Sequence, residues 1–288
     1  MRDLNYQLKT LCRNNRDGSY ATQAQRQSML ELMANQLHEL GFRQMSAQSL
    51  KPKHVEALIK QWQEAHLAVA TIKNRMTALR WWAAKVNRHN VIARANEHYG
   101  IPDRQFVSNV SKALSVSAEA LANVKDVHVR MSLELQQAFG LRREEAIKFI
   151  PADADKGDHL TLKASWTKGG KARDIPIRTE AQREVLNRAH QLAGRGSLIP
   201  PNRNYVQQLR IYEGHTSRAG LSKLHGLRHA YAQQRYRELT GLPCPAAGGP
   251  VSAELTPAQK VIDTAARLTI SQELGHEREA VTAIYLGR

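Results

Sequence analysis

Toward the C-terminal end of the sequence a histidine and a tyrosine stand nine residues apart, in Leu274-Gly275-His276 and Ile284-Tyr285-Leu286. On one unbroken α-helix nine steps of about 100° would put them on opposite faces, roughly 13 Å apart along the axis, unable to share a substrate. Gly275 suits the position just past a helix end, where a left-handed backbone is wanted. A helix that stops there, His276 on the turn, and a short helix starting near Glu277 to Glu279 would bring imidazole and phenol together. A tyrosine in such a helix is most often a half-buried packing residue. The residues upstream weigh against that reading.

Leu224-His225-Gly226-Leu227-Arg228 sets an imidazole and a guanidinium three residues apart, on one face of a helix start whose N-terminus adds positive potential. Charged and side by side they repel, and an anion between them would relieve that. His225 and His229 at i, i+4 also have metal-ligand spacing, but no zincin glutamate and no third ligand stand nearby, so no metal is expected. Gly140-Leu141-Arg142-Arg143-Glu144-Glu145 reads as a tight junction between helices. Arg142 then opposes the dipole of the second helix at a cost of some tenths of a kcal/mol, and Glu145 can hold its guanidinium across an i, i+3 spacing. A surface salt bridge is the plain alternative. Lys168-Gly169-Gly170-Lys171 reads as the tip of a β-hairpin. Lysine there either guards the strand edge or, as Lys168, offers a mobile ammonium that can reach into a groove and donate a proton.

Those groups need a scaffold. Apolar side chains at Met29, Leu32, Met33, Leu37 and Leu40 predict a first helix from Thr22 to Leu40, closed by Gly41. A second is expected from His54 to His66, with Val55, Leu58, Ile59 and Trp62 on one side. A third runs from Val69 or Thr71 to Val86, with Ile72, Met76, Leu79, Trp82 and Ala83 inward. Lys73, Arg75, Arg80 and Lys85 lie elsewhere on it, suited to phosphate contacts. Trp81 and Trp82 could stack on nucleotides, with at least one in the core. After the turn at Gly100-Ile101-Pro102-Asp103, residues 105–116 read as a linker, leaving a helical domain at 1–104 and a second domain at 117–288. Domains joined this way can open and close around a rod-like ligand.

In the second domain Ser117 caps a helix through Ala122, and another spans Val127 to Phe139. His159 to Trp166 alternates, with Leu160, Leu162, Ala164 and Trp166 on one face, and Arg173 to Arg178 does likewise through Ile175 and Ile177. Thr179 to Ala193, Tyr205 to Tyr212 and Pro257 to Leu274 read as helices, and Gly241 to Pro257 as an inserted loop. The expected fold class is mainly α, with a small antiparallel β-sheet in an α+β second domain.

Charge narrows the partner. The 288 residues carry 42 Lys and Arg against 26 Asp and Glu, a formal charge of +16, with an isoelectric point near 10.1. Such an excess points to a polyanion, nucleic acid foremost. No apolar run approaches the ~18 residues of a membrane span, and no signal-peptide core follows Met1, so a cytosolic protein without a membrane partner is expected. Cys12 and Cys244 read as ordinary thiols. With neither a P-loop nor a carboxylate cluster suited to Mg²⁺, no cofactor is expected.

Taken in order, Arg142 with Glu145, Lys168 in a hairpin, His225-x-x-Arg228, Leu274-Gly275-His276 and Tyr285 resemble the catalytic set of the tyrosine recombinases, the phage-integrase and Xer-type enzymes. The resemblance spans roughly residues 117 to 286, and the first hundred residues are similar to that family's core-binding domain in size and position. It implies a site-specific recombinase that cleaves and rejoins double-stranded DNA through a 3′-phosphotyrosine, needs neither ATP nor metal, and works as a homo-oligomer, a tetramer on DNA. A prokaryotic, nucleoid-associated setting follows from the same resemblance. Arg142 and Arg228 would clamp the non-bridging oxygens. Tyr285 would attack, with His225 taking its proton and His276 orienting the phosphate or sharing that duty. Lys168 would protonate the departing 5′-oxygen.

A type IB topoisomerase-like enzyme would use much the same residues, and a non-catalytic DNA-binding protein of the same fold is the rival from another class. The sequence departs from the family in the proline- and glycine-rich stretch between Arg228 and His276. It also has only Leu286, Gly287 and Arg288 after the tyrosine, where the family often continues with a segment that docks on a neighbouring protomer. No arm-binding domain is expected ahead of the helical bundle.

Overall fold

The computed structural model describes residues 3–167, 169–276 and 278–288. Two compact units divide the chain, Met1–Gln105 and Phe106–Arg288. The fold is mainly α-helical with one two-stranded antiparallel sheet.

The first unit holds α1 (Asp3–Asn14), α2 (Tyr20–Glu39), α3 (Pro52–Glu64) and α4 (Val69–Lys85). Ser19 starts α2 by accepting from the Thr22 amide, and Pro52 opens α3 at a position where its missing N–H costs nothing. Leu30, Met33, Leu37, Leu58, Trp62, Met76 and Trp82 are fully buried together. The later helices fall close to their expected places, while α1, which the expected helices do not include, packs Leu4 and Leu8 into the same core ahead of them. Of the apolar residues that predict α2, Leu32 and Leu40 are exposed.

The second unit runs α5 (Ala118–Ala122), α6 (Val127–Phe139), α7 (Arg143–Ile147), α8 (Pro151–Ala154), β1 (His159–Leu162), β2 (Arg173–Pro176), α9 (Glu180–Ala193), α10 (Tyr205–Arg218), α11 (Gly226–Thr240), α12 (Pro257–Glu273) and α13 (Glu279–Leu286). Asp126 caps α6 by accepting from the amides of His128 and Val129, each at 3.0 Å. The Thr256–Gln259 box opens α12. In the sheet Leu160 pairs with Ile175 and Leu162 with Arg173.

The hairpin is shorter than its alternation predicts. β1 ends at Leu162, and the chain turns through a 3₁₀ segment at Ala164–Trp166, so a long connection, not a two-residue Gly-Gly turn, joins the strands. The turn lets Trp166 tuck its ring beside Phe149, centroids 6.2 Å apart, and leaves Ala164 exposed. Helix α10 continues beyond its expected end at Tyr212 to Arg218.

Residues 106–116, within the stretch read as linker, form no helix or strand but are held to the second unit. Leu114 donates its amide to Gly226 O at 3.0 Å, and Val116 donates to Gln137 Oε1 at 2.8 Å. Within the loop at 241–257, Cys244, Ala246 and Leu255 are buried.

Candidate active site

Helix α12 stops at the glycine. Gly275, at φ +64°, closes it as the Gly275 amide bonds Gln272 O and the His276 amide bonds Ser271 O, both at 2.9 Å. His276 sits on the turn, and α13 begins two residues past the undescribed Glu277. The result is the stop, histidine and short helix that the spacing requires. The His276 and Tyr285 rings stack at 5.3 Å and 20°. The Tyr285 hydroxyl lies 3.2 Å from His225 Nε2. Tyr285 is only 6 % exposed and belongs to the core of the second unit, and its hydroxyl meets His225 at the head of α11. His276 Nδ1 is 3.1 Å from Thr282 Oγ1 on α13, which leaves Nε2 as its other nitrogen.

Beside these rings three guanidiniums surround one carboxylate. Glu145, wholly buried, accepts at Oε1 from Arg142 Nη1 at 2.8 Å and from Arg173 Nη1 at 2.9 Å. Its Oε2 accepts from the Arg142 amide and from Arg173 Nη2, both at 2.7 Å. Arg228, 1 % exposed, donates through Nη1 to Gly140 O at 2.5 Å and through Nη2 to Leu274 O. It therefore ties together the C-terminal ends of α6 and α12, while its buried Nε has no partner among the described residues.

The electrostatics follow from this crowding. Burial alone would raise the Glu145 pKa, but the hydrogen bonds and charge of Arg173, then Arg228 and Arg142, hold it down at about 2. Burial and the charge of Arg142 lower Arg228 to about 10, so it stays cationic at neutral pH. Desolvation and then the charges of Arg228 and Arg142 lower His225, and desolvation with the same two arginines first among the charges brings His276 to about 3. His229, whose ring centroid is 4.6 Å from that of Tyr285, is lowered to about 4 by desolvation and the charge of His225. Neutral imidazoles among cations can accept or donate a hydrogen bond, and the excess positive charge suits an anion that gains charge as it reacts.

Two family models bear on this arrangement. One described as phage integrase, N-terminal, matches residues 1–92, and one described as integrase matches residues 103–234. The chain belongs to the phage integrase family of tyrosine recombinases. No curated protein matches it by sequence. Among solved structures it resembles a lambda integrase (75-356) dimer bound to a COC' core site (TM-score 0.63, 15 % identity, 99 % of this chain and 95 % of that chain). It also resembles a lambda integrase tetramer bound to a Holliday junction (0.58, 14 %, 96 % and 78 %). A third match is the Tn1549 transposon integrase in complex with circular intermediate DNA (0.57, 14 %, 100 % and 96 %). At these identities the likeness is one of fold.

In this integrase-family chain the structure brings Arg142, Glu145, His225, Arg228, His276 and Tyr285 into one cluster, while Lys168 lies outside the described residues. Three features escape the sequence reading. Arg173 was passed over although strand alternation places it in phase with Ile175 and Ile177, an inward position where a cation needs a partner. Gln233 donates to Tyr285 O at 3.0 Å, and Ser111 Oγ is 3.0 Å from Gln233 Oε1. Asn109 pairs with Arg288 twice, donating to its carbonyl and accepting from its amide, both at 2.9 Å. Nothing in the local sequence of Gln233 or Asn109 signals these distant partners. Among the described residues no group of three or more His, Cys, Asp or Glu is placed to hold a metal, and no helix is long and apolar enough to cross a membrane.

The tryptophan pair divides as one inward and one outward residue. Trp82 is fully buried and donates to Ala47 O at 2.8 Å. Trp81 is partly exposed, with the Arg26 guanidinium 4.4 Å over its ring and its Nε1 donating to Asp17.

Proposed function

We propose that the chain is a site-specific DNA recombinase that cleaves and rejoins duplex DNA through Tyr285, forming a 3′-phosphotyrosine. The observation that carries this is the Tyr285 hydroxyl 3.2 Å from His225 Nε2, in a cluster whose guanidiniums outnumber its carboxylate. The phenol oxygen attacks phosphorus as His225 takes its proton, the bond from phosphorus to the 5′-oxygen breaks, and that oxygen takes a proton in turn. Lys168 is assigned to the last transfer by the family resemblance alone. Arg142 and Arg228 offer N–H donors to the non-bridging oxygens, where charge builds in the transition state. A 5′-hydroxyl from another strand reverses these steps and frees the phenol, so the phosphotyrosine conserves the bond energy.

The first unit supports this reading as a duplex-binding clamp, given the basic residues on α4 and the match of residues 1–92 to an integrase N-terminal region. Strand exchange requires two duplexes and several protomers, and a tetramer on DNA is proposed accordingly. The test begins by selecting a binding site from random duplexes and nicking it near the cleavage point. Incubation should give a covalent protein–DNA adduct that is absent in Tyr285→Phe, and two marked sites should exchange flanks. No adduct from the unsubstituted protein would overturn the proposal. An adduct with supercoil relaxation but no exchange would favour a topoisomerase-like role.

A further inference from the structure

Arg173 is buried, 8 % exposed, and occupies a strand position that alternation reserves for an apolar side chain. All three of its nitrogens are engaged. Nη1 and Nη2 form a two-pronged bond with the Glu145 carboxylate at 2.9 and 2.7 Å, and Nε donates to Glu273 O at 2.9 Å. Glu145 holds Arg142 from the far side of the same carboxylate, through both its side chain and its amide. Glu273 is the last residue of α12, directly before Leu274, whose carbonyl binds Arg228, and Gly275, whose α-carbon rests on Arg173: a Cβ there would come 2.7 Å from its Cδ.

We infer that Arg173 is a positioning residue for strand cleavage, fixing through Glu145 the direction of the Arg142 guanidinium and through Glu273 O the turn that carries His276. This role rests on the strand-cleavage reading above. It contacts no reacting atom. Without it the buried carboxylate would keep its cost of burial while losing its chief partner, and would take up a proton at a pH where it is now ionised. A protonated Glu145 would then hold Arg142 only weakly. Lysine would preserve the charge but not the planar fork that spans both carboxylate oxygens while a third nitrogen reaches the helix end.

The experiment compares Arg173→Gln and Arg173→Lys with the unsubstituted protein, measuring single-turnover formation of the Tyr285 adduct on the selected nicked duplex from pH 5 to 8, beside DNA affinity and melting temperature. Misplacing the guanidinium should slow adduct formation by about tenfold to a hundredfold while affinity changes by about twofold or less. The rate of Arg173→Gln should fall on acidification, with a limb steeper than that of the unsubstituted protein and one that Arg173→Lys partly removes. In a Glu145→Gln background, adding Arg173→Gln should cost little more, because the two act as one unit. Adduct formation at the unsubstituted rate in both Arg173 variants would overturn this role alone, as would full additivity with Glu145→Gln. A missing adduct in the unsubstituted protein would overturn the strand-cleavage reading, and this role with it.

Discussion

The hydroxyl of Tyr285 and Nε2 of His225 lie 3.2 Å apart although sixty residues separate them in sequence. A free phenol, with a pKa of about 10, is a weak nucleophile at neutral pH, whereas His225, lowered from 6.5 by desolvation and by Arg228 and Arg142, is neutral there and able to accept its proton. His225→Ala is expected to slow adduct formation by about a hundredfold to ten-thousandfold without changing DNA affinity by more than about twofold. The pH profile supplies the sign. A base is competent above its own pKa, so the rate of the unsubstituted protein should fall as pH drops below 6.5, and the alanine variant should lose that limb. An unchanged acid limb in His225→Ala would assign the proton transfer to another group.

Arg142 and Arg228, the two arginines proposed to hold the phosphate, should fail differently when shortened. The Arg142 side chain is 23 % exposed and its partner Glu145 keeps Arg173, so Arg142→Ala should abolish cleavage, shift stability by no more than about 1 kcal/mol and leave DNA affinity largely intact. Arg228 is buried and bonded to carbonyls at the ends of two helices. Its removal strands both acceptors and opens a void, a loss of about 3–5 kcal/mol. Denaturant titrations of the two variants beside adduct assays would separate these outcomes; equal stabilities would contradict the bracing role of Arg228.

Much of the site was legible because its spacing is local. The nine-residue gap could be reconciled only by a helix stop, and Gly275 supplied it at φ +64°. The i, i+3 reach from Arg142 to Glu145 and the helix start at His225 also follow from residues a few positions apart. What stayed hidden is tertiary. Arg173 meets its partners 28 and 100 residues away, and Trp166 leaves the strand with its buried ring packed beside Phe149. Helix α1 is a different case: Leu4, Leu8, Leu11 and Cys12 stand at i, i+4, i+7 and i+8, a helical stripe present in the sequence itself.

The segment at 109–114 braces the tyrosine helix from outside. Asn109 holds Arg288, Ser111 holds Gln233, and Gln233 holds the Tyr285 carbonyl, while Leu114 presses on Gly226, where a Cβ would lie 2.7 Å from its own. Asn109→Ala and Gln233→Ala should each cost about 0.5–1.5 kcal/mol per bond lost. Hydrogen exchange should rise in residues 279–288 with little change in α6, and adduct formation should slow by roughly tenfold. Uniform acceleration across the second unit would show a general loss of stability and not a local brace.

Acid should unfold the DNA-free protein in two stages. The folded pKa of His276 is about 3 against an ordinary 6.5, so between those values the unfolded chain binds a proton that the native site refuses. Its contribution is complete above pH 6.5 and is lost as pH falls toward 3; His229, lowered to about 4, acts in the same sense. Glu145, at about 2 against 4.5, adds stability above pH 4.5 that disappears as pH falls through 2. Urea midpoints taken from pH 8 to 3 should therefore decline from near 6.5 downward, with a shallower slope in His276→Gln, and Glu145→Gln should flatten the portion below 4.5. A bound phosphate reverses the bias on the imidazoles, because an anion favours their charged forms. DNA binding should consequently take up protons and strengthen toward pH 6, which calorimetry in buffers of different ionisation enthalpy would read directly. Proton release on binding would contradict the placement of these imidazoles against the phosphate.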